Sequence, residues 1–175
     1  MRLLLPEIFD QVQKAESIEQ QKQILLKNNS PVLLDILKMN FNPDIKMQLP
    51  EGTPPFKRTG IPMGMADTNL YKEMRRMYTW VNPPPNLHKI KKETLFIQLL
   101  ESINEKEADL LCAIKDKELG RMYPAMTYDL INQTFPGLLP PKAAVVEKQQ
   151  EEEVVPKKRG RPKKAACEAQ NQILQ

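Results

Sequence analysis

The chain has 175 residues, 41% of them apolar, with 16 prolines and a formal net charge of +4, which leaves room for one ordinary domain, or two very small ones, plus a tail. Its two cysteines, Cys112 and Cys167, make neither a metal spacing nor a disulfide framework, and no apolar run approaches the length that crosses a bilayer. Residues 141–175 hold 8 of the 26 Lys/Arg and 5 of the 22 Asp/Glu, which leaves residues 1–140 nearly balanced at 18 against 17 and puts the strongest basic feature in the tail.

The N-terminal Met1-Arg2-Leu3-Leu4-Leu5 imitates a signal peptide, but the apolar stretch is too short and acid follows at Glu7. Pro6 suits the first turn of a helix carrying Ile8, Phe9 and Val12. Ser17-Ile18-Glu19-Gln20 reads as a capping box that opens a second helix, with Ile18, Ile24, Leu25 and Leu26 as its apolar members. Ser30-Pro31 then reads as an N-cap followed by proline at the first helical position, and Val32, Leu33, Ile36, Leu37 and Phe41 supply a buried stripe. These three helices form an N-terminal unit, residues 1–41, expected to be compact and antiparallel.

Residues 42–66 change character. Five prolines and three glycines argue against regular structure, yet Ile45, Met47, Leu49, Phe56, Ile61, Met63 and Met65 are too apolar for a solvated linker. The expectation is an extended path over the body, with room for a short strand. A C-terminal helical unit, residues 67–140, packs with the first 66 residues as one body. Its first helix is predicted from Asp67 to about Trp80, with Leu70, Met74, Met77, Tyr78 and Val81 on one stripe and Lys72, Arg75 and Arg76 on the other side. Those three cations are a secondary candidate for nucleic-acid contact, with Trp80 or Tyr78 as a stacking surface; a solvated face over an aromatic core is the simpler reading.

Pro83-Pro84-Pro85 is a rigid spacer, and His88, the single histidine, lacks a second ligand or catalytic partner. Leu95, Phe96, Leu99, Leu100 and Ile103 form the next helical stripe. Asn104-Glu105-Lys106-Glu107 caps a following helix that runs to Glu118-Leu119, with Gly120 at its left-handed end. Thr127 caps a last helix with Leu130, Ile131 and Phe135. That helix has no lysine or arginine, which excludes major-groove readout by a recognition helix. The fold class is therefore mainly α: about six or seven short helices, an irregular Pro/Gly-rich connection, and a disordered basic tail over residues 141–175.

In the tail, six of the eight residues from Lys157 to Lys164 are cationic, and the exceptions are Gly160 and Pro162. Gly160 has no Cβ, so its backbone can lie against the floor of a narrow groove. Pro162 biases Arg161 toward an extended course. Arg159 and Arg161 then project as planar cations into the focused negative potential of A/T tracts, where no guanine amino group obstructs them. Lys157, Lys158, Lys163 and Lys164 are placed for phosphates, which add affinity without sequence information. The segment 156–164 resembles the AT-hook, a short minor-groove DNA-binding motif. A solvated tail, a localisation-like run or a nonspecific patch shares the composition but does not require the order Arg-Gly-Arg-Pro.

Leu49-Pro50-Glu51-Gly52-Thr53-Pro54-Pro55, Asp67-Thr68-Asn69-Leu70-Tyr71, Leu95 to Glu101 and Phe135-Pro136-Gly137-Leu138 resemble an uncharacterised protein family of T4-like tailed phages of marine bacteria, notably cyanobacteria. The resemblance covers most of residues 1–140. It implies expression in the cytoplasm of an infected bacterium, at the nucleoid if DNA is bound, and no particular activity.

No enzyme is indicated: there is no Gly-rich phosphate loop, no metal-ligand cluster and no nucleophile elbow, and Asp109 and Asp116 read as surface salt-bridge partners. No cofactor is expected. The expected function is a non-enzymatic DNA-binding accessory protein whose partner is A/T-rich double-stranded DNA, with self-association or a phage or host protein held by the body supplying avidity. The alternative makes the body an interaction or assembly module for replication, transcription or the virion, with the tail giving only charge.

Overall fold

The computed structural model describes residues 3–58, 60–62 and 64–141; the hook at 156–164 and the remaining tail from Lys142 lie outside the described residues. The described residues form helices α1 (Leu5–Lys14), α2 (Ile18–Lys27), α3 (Pro31–Phe41), α4 (Leu70–Glu73), α5 (Tyr78–Val81), α6 (Lys89–Ser102), α7 (Glu105–Lys115), α8 (Leu119–Met122) and α9 (Tyr128–Thr134), with a 3-10 turn at Met74–Arg76 and no strand among them.

Local chemistry opens most of these helices where the capping signals stand. Ser17 Oγ accepts from the Glu19 N–H at 3.2 Å, Ser30 Oγ from the Leu33 N–H at 3.3 Å, and Thr127 Oγ1 from the Leu130 N–H at 3.2 Å. Each satisfies a donor that the first turn leaves without an intrahelical partner. In α1 the Glu7 carboxylate reaches back to the Leu4 N–H at 2.8 Å.

One core runs through all of this. Helix α7 packs against α1, α3, α6 and α8, while α2 packs against α1 and α9. Phe9 meets Tyr123 edge-on at 5.4 Å, and Trp80 meets Phe96 at 5.6 Å, both in the spacing that aromatic pairs favour. Helix α2 buries only Leu25 fully, leaving Ile18 and Leu26 exposed.

The helix expected from Asp67 to Trp80 is instead three pieces. Asn69 Oδ1 caps it by accepting from the Lys72 N–H at 3.2 Å, so it opens at Leu70. It then tightens into the 3-10 turn, where residues three apart eclipse one another. Met74, Met77 and Trp80 thus face inward together, while Tyr78, assigned to the buried stripe by a straight α-helical period, is 63% exposed. The other correction concerns α7, which stops at Lys115. Its chain reversal comes from Lys117, which has φ +59°, and Gly120 sits inside α8.

The described residues of the connection over 42–66 run irregularly, with no strand among them, and side chains of α6 and α7 hold them down. The Lys57 N–H donates to Glu101 Oε1 at 3.0 Å, and the Gly60 N–H to Glu105 Oε1 at 2.8 Å. Asn104 Nδ2 donates to Ile61 O at 2.7 Å, and Arg58 makes two bonds to Asp109, at 2.8 and 3.2 Å. Farther back, Lys115 Nζ donates to Pro50 O at 2.8 Å and Lys117 Nζ to Asn42 O at 2.7 Å. Few backbone groups of the segment pair with backbone, as in Ile45 N–H to Asn42 O and Met65 N–H to Pro62 O, and these side chains take the place of a missing ladder. The Arg58–Asp109 pair is 54% and 34% exposed, a setting in which ion pairs contribute less than about 1 kcal/mol. Asp109→Asn is therefore expected to leave the denaturant midpoint almost unchanged, yet to speed limited proteolysis between residues 50 and 66, as read by mass spectrometry of the fragments.

Candidate nucleic-acid interface

The secondary candidates Lys72, Arg75 and Arg76 are all exposed, Lys72 on α4 and the two arginines on the 3-10 turn. Arg76 Nη1 lies 3.0 Å from Glu73 Oε2, whereas neither Lys72 nor Arg75 forms an ion pair among the described residues. Trp80 is withdrawn from any stacking role. It is 1% exposed, and its Nε1 donates to Lys92 O at 2.9 Å. Tyr78 remains as the exposed aromatic of the segment.

The Trp80 bond also places residues 70–81 against the start of α6. His88, Lys89, Ile90 and Lys91 there are all exposed. Lys92 turns its Nζ to Gln48 Oε1 at 3.2 Å, and the Gln48 N–H donates to Trp80 O at 2.8 Å. Along the chain a proline spacer divides these lysines from Arg75. The tryptophan bond and the bridge through Gln48 join the two stretches.

At the end of α7 the cations serve the body itself. A groove of about 710 Å³ between the connection and the end of α7 is lined by Lys46, Glu51, Lys115, Asp116, Lys117 and Arg121, among others. Lys115 is paired with Asp116, and Arg121 Nη1 lies 3.4 Å from Glu118 Oε2. Burial, with a smaller push from Lys46, lowers the pKa of Lys117, and Asp44 opposes the shift; the ammonium's bond to the Asn42 carbonyl favours the charged form. The groove's lysines thus hold the connection in place.

Glu107 was read as the reciprocal half of the α7 capping box, and the structure gives it another task. Asn104 Oδ1 does cap, accepting from the Lys106 N–H at 3.0 Å. Glu107, however, is fully buried, and its Oε1 accepts from the Leu70 N–H at 3.2 Å, tying α7 to the start of α4. Oε2 has no hydrogen-bond partner among the described residues. Burial pushes the carboxyl up to about 7; the Leu70 N–H opposes this and nearby Glu7 adds to it. Nothing in the sequence distinguishes this glutamate from an ordinary capping residue. The Cys112 thiol, also buried, is pushed up to about 11 by desolvation, which keeps it protonated and unreactive at neutral pH. Among the described residues no helix is long and apolar enough to cross a membrane, and no three His, Cys, Asp or Glu side chains are grouped to hold a metal ion.

Comparison with known proteins yields a match to a family model described as a family of unknown function (DUF6433), over residues 8–121. No curated protein and no solved structure matches.

Proposed function

The chain belongs to this family of unknown function, DUF6433, and we propose that it is a non-enzymatic phage DNA-binding accessory protein: a helical body that carries an AT-hook-like tether. The observation that carries the reading is the order of residues 157–164, in which Arg159 and Arg161 flank Gly160 and Pro162 follows, with lysines on both sides. Glycine permits close approach to the groove floor, proline extends the chain, and the two arginines enter the minor groove of A/T-rich DNA. The tethering of Lys115, Lys117, Arg58 and Arg121 to groups of the body supports a division of labour in which the tail reads DNA. If all six cations of the hook meet phosphate, the log–log salt slope is on the order of −5.

Fluorescence anisotropy of the full chain on matched A/T and G/C duplexes tests this. Arg159→Ala/Arg161→Ala is expected to abolish the A/T preference. If the preference survives that double substitution, the hook is not its source.

The family match lies on the body, which favours a second reading: the body is the shared interaction module, binding a phage or host protein or a second copy of itself, and the tail adds charge. A partner captured as well by a chain lacking residues 156–164 as by the full chain distinguishes it.

A further inference from the structure

The near-neutral body is electrically divided. Residues 70–92 carry six Lys/Arg, namely Lys72, Arg75, Arg76, Lys89, Lys91 and Lys92, against Glu73 alone, which leaves the rest of residues 1–140 with 12 cations against 16 anions. One stretch is thus +5 and the remainder −4. These cations are not spread through the fold. Trp80, through its bond to Lys92 O and its contact with Phe96, ties the end of the 70–81 segment to the first turns of α6, so the two cationic stretches are joined there as well as along the chain. The carboxylates that hold the connection, Glu101, Glu105 and Asp109, come instead from the end of α6 and from α7.

Stability does not account for this concentration of charge. Lys89, Lys91 and Lys92 occupy the first turn of α6, which has no acidic residue, and cations at that end oppose the helix dipole. Lys72, Arg75, Lys89 and Lys91 form no ion pair among the described residues. Tyr78, at 63% exposure, and Ile90, at 75%, belong to the same two stretches. Unpaired cations in company with an exposed aromatic are complementary to a polyanion with planar bases.

We infer that this face of the body is a second DNA-contacting surface, which lies on the phosphates of the same duplex whose minor groove receives the hook. The inference rests on the DNA-binding reading above. From Pro141 to Lys157 the chain spans at most about 55 Å when fully extended, enough for both contacts to be made on neighbouring turns. A tether of that length gives the second contact an effective concentration on the order of millimolar. The hook then supplies A/T preference, and the face supplies affinity that depends on salt but not on sequence.

The test uses full-length protein, with anisotropy on A/T and G/C duplexes across a salt series. Arg75→Glu/Lys89→Glu/Lys91→Glu alters exposed side chains only, and circular dichroism verifies the fold. The expected result is roughly tenfold weaker binding to both duplexes, an unchanged A/T to G/C ratio, and a salt slope shallower by about 3. The neutral set Arg75→Gln/Lys89→Gln/Lys91→Gln is expected to weaken binding in the same sense. Wild-type affinity and slope in the reversed variant overturn the inference, and are the outcome if the face serves an acidic protein instead. Weakening by reversal but not by neutralisation also overturns it, because it reports repulsion in place of a lost contact. The two readings fail separately: if Arg159→Ala/Arg161→Ala binds as the wild type does and the face variant is weakened, the hook falls and the face stands.

Discussion

Trp80→Ala is expected to be the most damaging single substitution in the body, lowering unfolding free energy by about 3–5 kcal/mol. The side chain is 1% exposed and packs edge-on against Phe96 at 5.6 Å. Its removal leaves a cavity between the 70–81 segment and α6 that neighbouring residues cannot fill without leaving their own rotamers. Small domains have only about 5–15 kcal/mol in total, so a loss of this size brings the variant close to unfolding. Trp80→Phe separates packing from hydrogen bonding. It keeps an aromatic beside Phe96 but deletes the Nε1–H donor to Lys92 O, at a cost of about 1–2 kcal/mol. Trp80 is the sole tryptophan, so wild-type unfolding can be followed by its emission, while the variants are followed by far-UV circular dichroism in denaturant. An alanine variant within about 1 kcal/mol of wild type would contradict the buried placement.

The second large effect is a pH dependence centred on Glu107. Its carboxyl titrates near 7 in the folded protein against 4.5 for an ordinary glutamate. Below about pH 4.5 both folded and unfolded chains hold this proton, and its contribution to stability is fully present. Between about pH 4.5 and 7 the unfolded chain has released the proton while the folded chain retains it, so stability falls as pH rises. Above about pH 7 the folded chain must bury a carboxylate whose Oε2 has no partner among the described residues. The full swing is of the order of 3 kcal/mol, an upper bound from the size of the shift. Glu107→Gln keeps an acceptor for the Leu70 N–H but cannot ionise. It is expected to flatten the profile and to exceed wild-type stability at pH 8 by about 1–2 kcal/mol, since its buried amide N–H₂ offsets part of the gain. Denaturant titrations from about pH 4 to 8 on both proteins isolate this residue, because every other titrating group cancels in the difference. Parallel profiles for the two proteins would remove Glu107 as the cause.

Both effects involve residues whose sequence context is misleading. Trp80 stands beside Arg75, Arg76 and Tyr78 in a pattern that suits an exposed stacking platform, and Glu107 stands three residues after Asn104 as in a capping box. In each case the deciding partner is remote in sequence: Lys92 and Phe96 for the tryptophan, the Leu70 N–H for the glutamate. Helix starts, by contrast, were legible. Ser17, Ser30, Asn104 and Thr127 each bond a backbone N–H two or three residues onward, a choice made within one turn.

The division follows from the range of the forces. Capping, apolar periodicity and the Arg-Gly-Arg-Pro order of the tail are properties of neighbouring residues, so the helical class and the candidate hook could be read from the chain directly. The split of the 70–81 helix depends on which side chains the core will accept, and the end of α7 on Lys117 reaching the Asn42 carbonyl. The course of residues 42–66 depends on carboxylates that lie some 45 positions away in the chain. The cations of residues 70–92 show both sides of this division. Their excess can be counted along the chain, but only folding ties the two ends of that stretch together, through the bond from the buried Trp80 to Lys92 O.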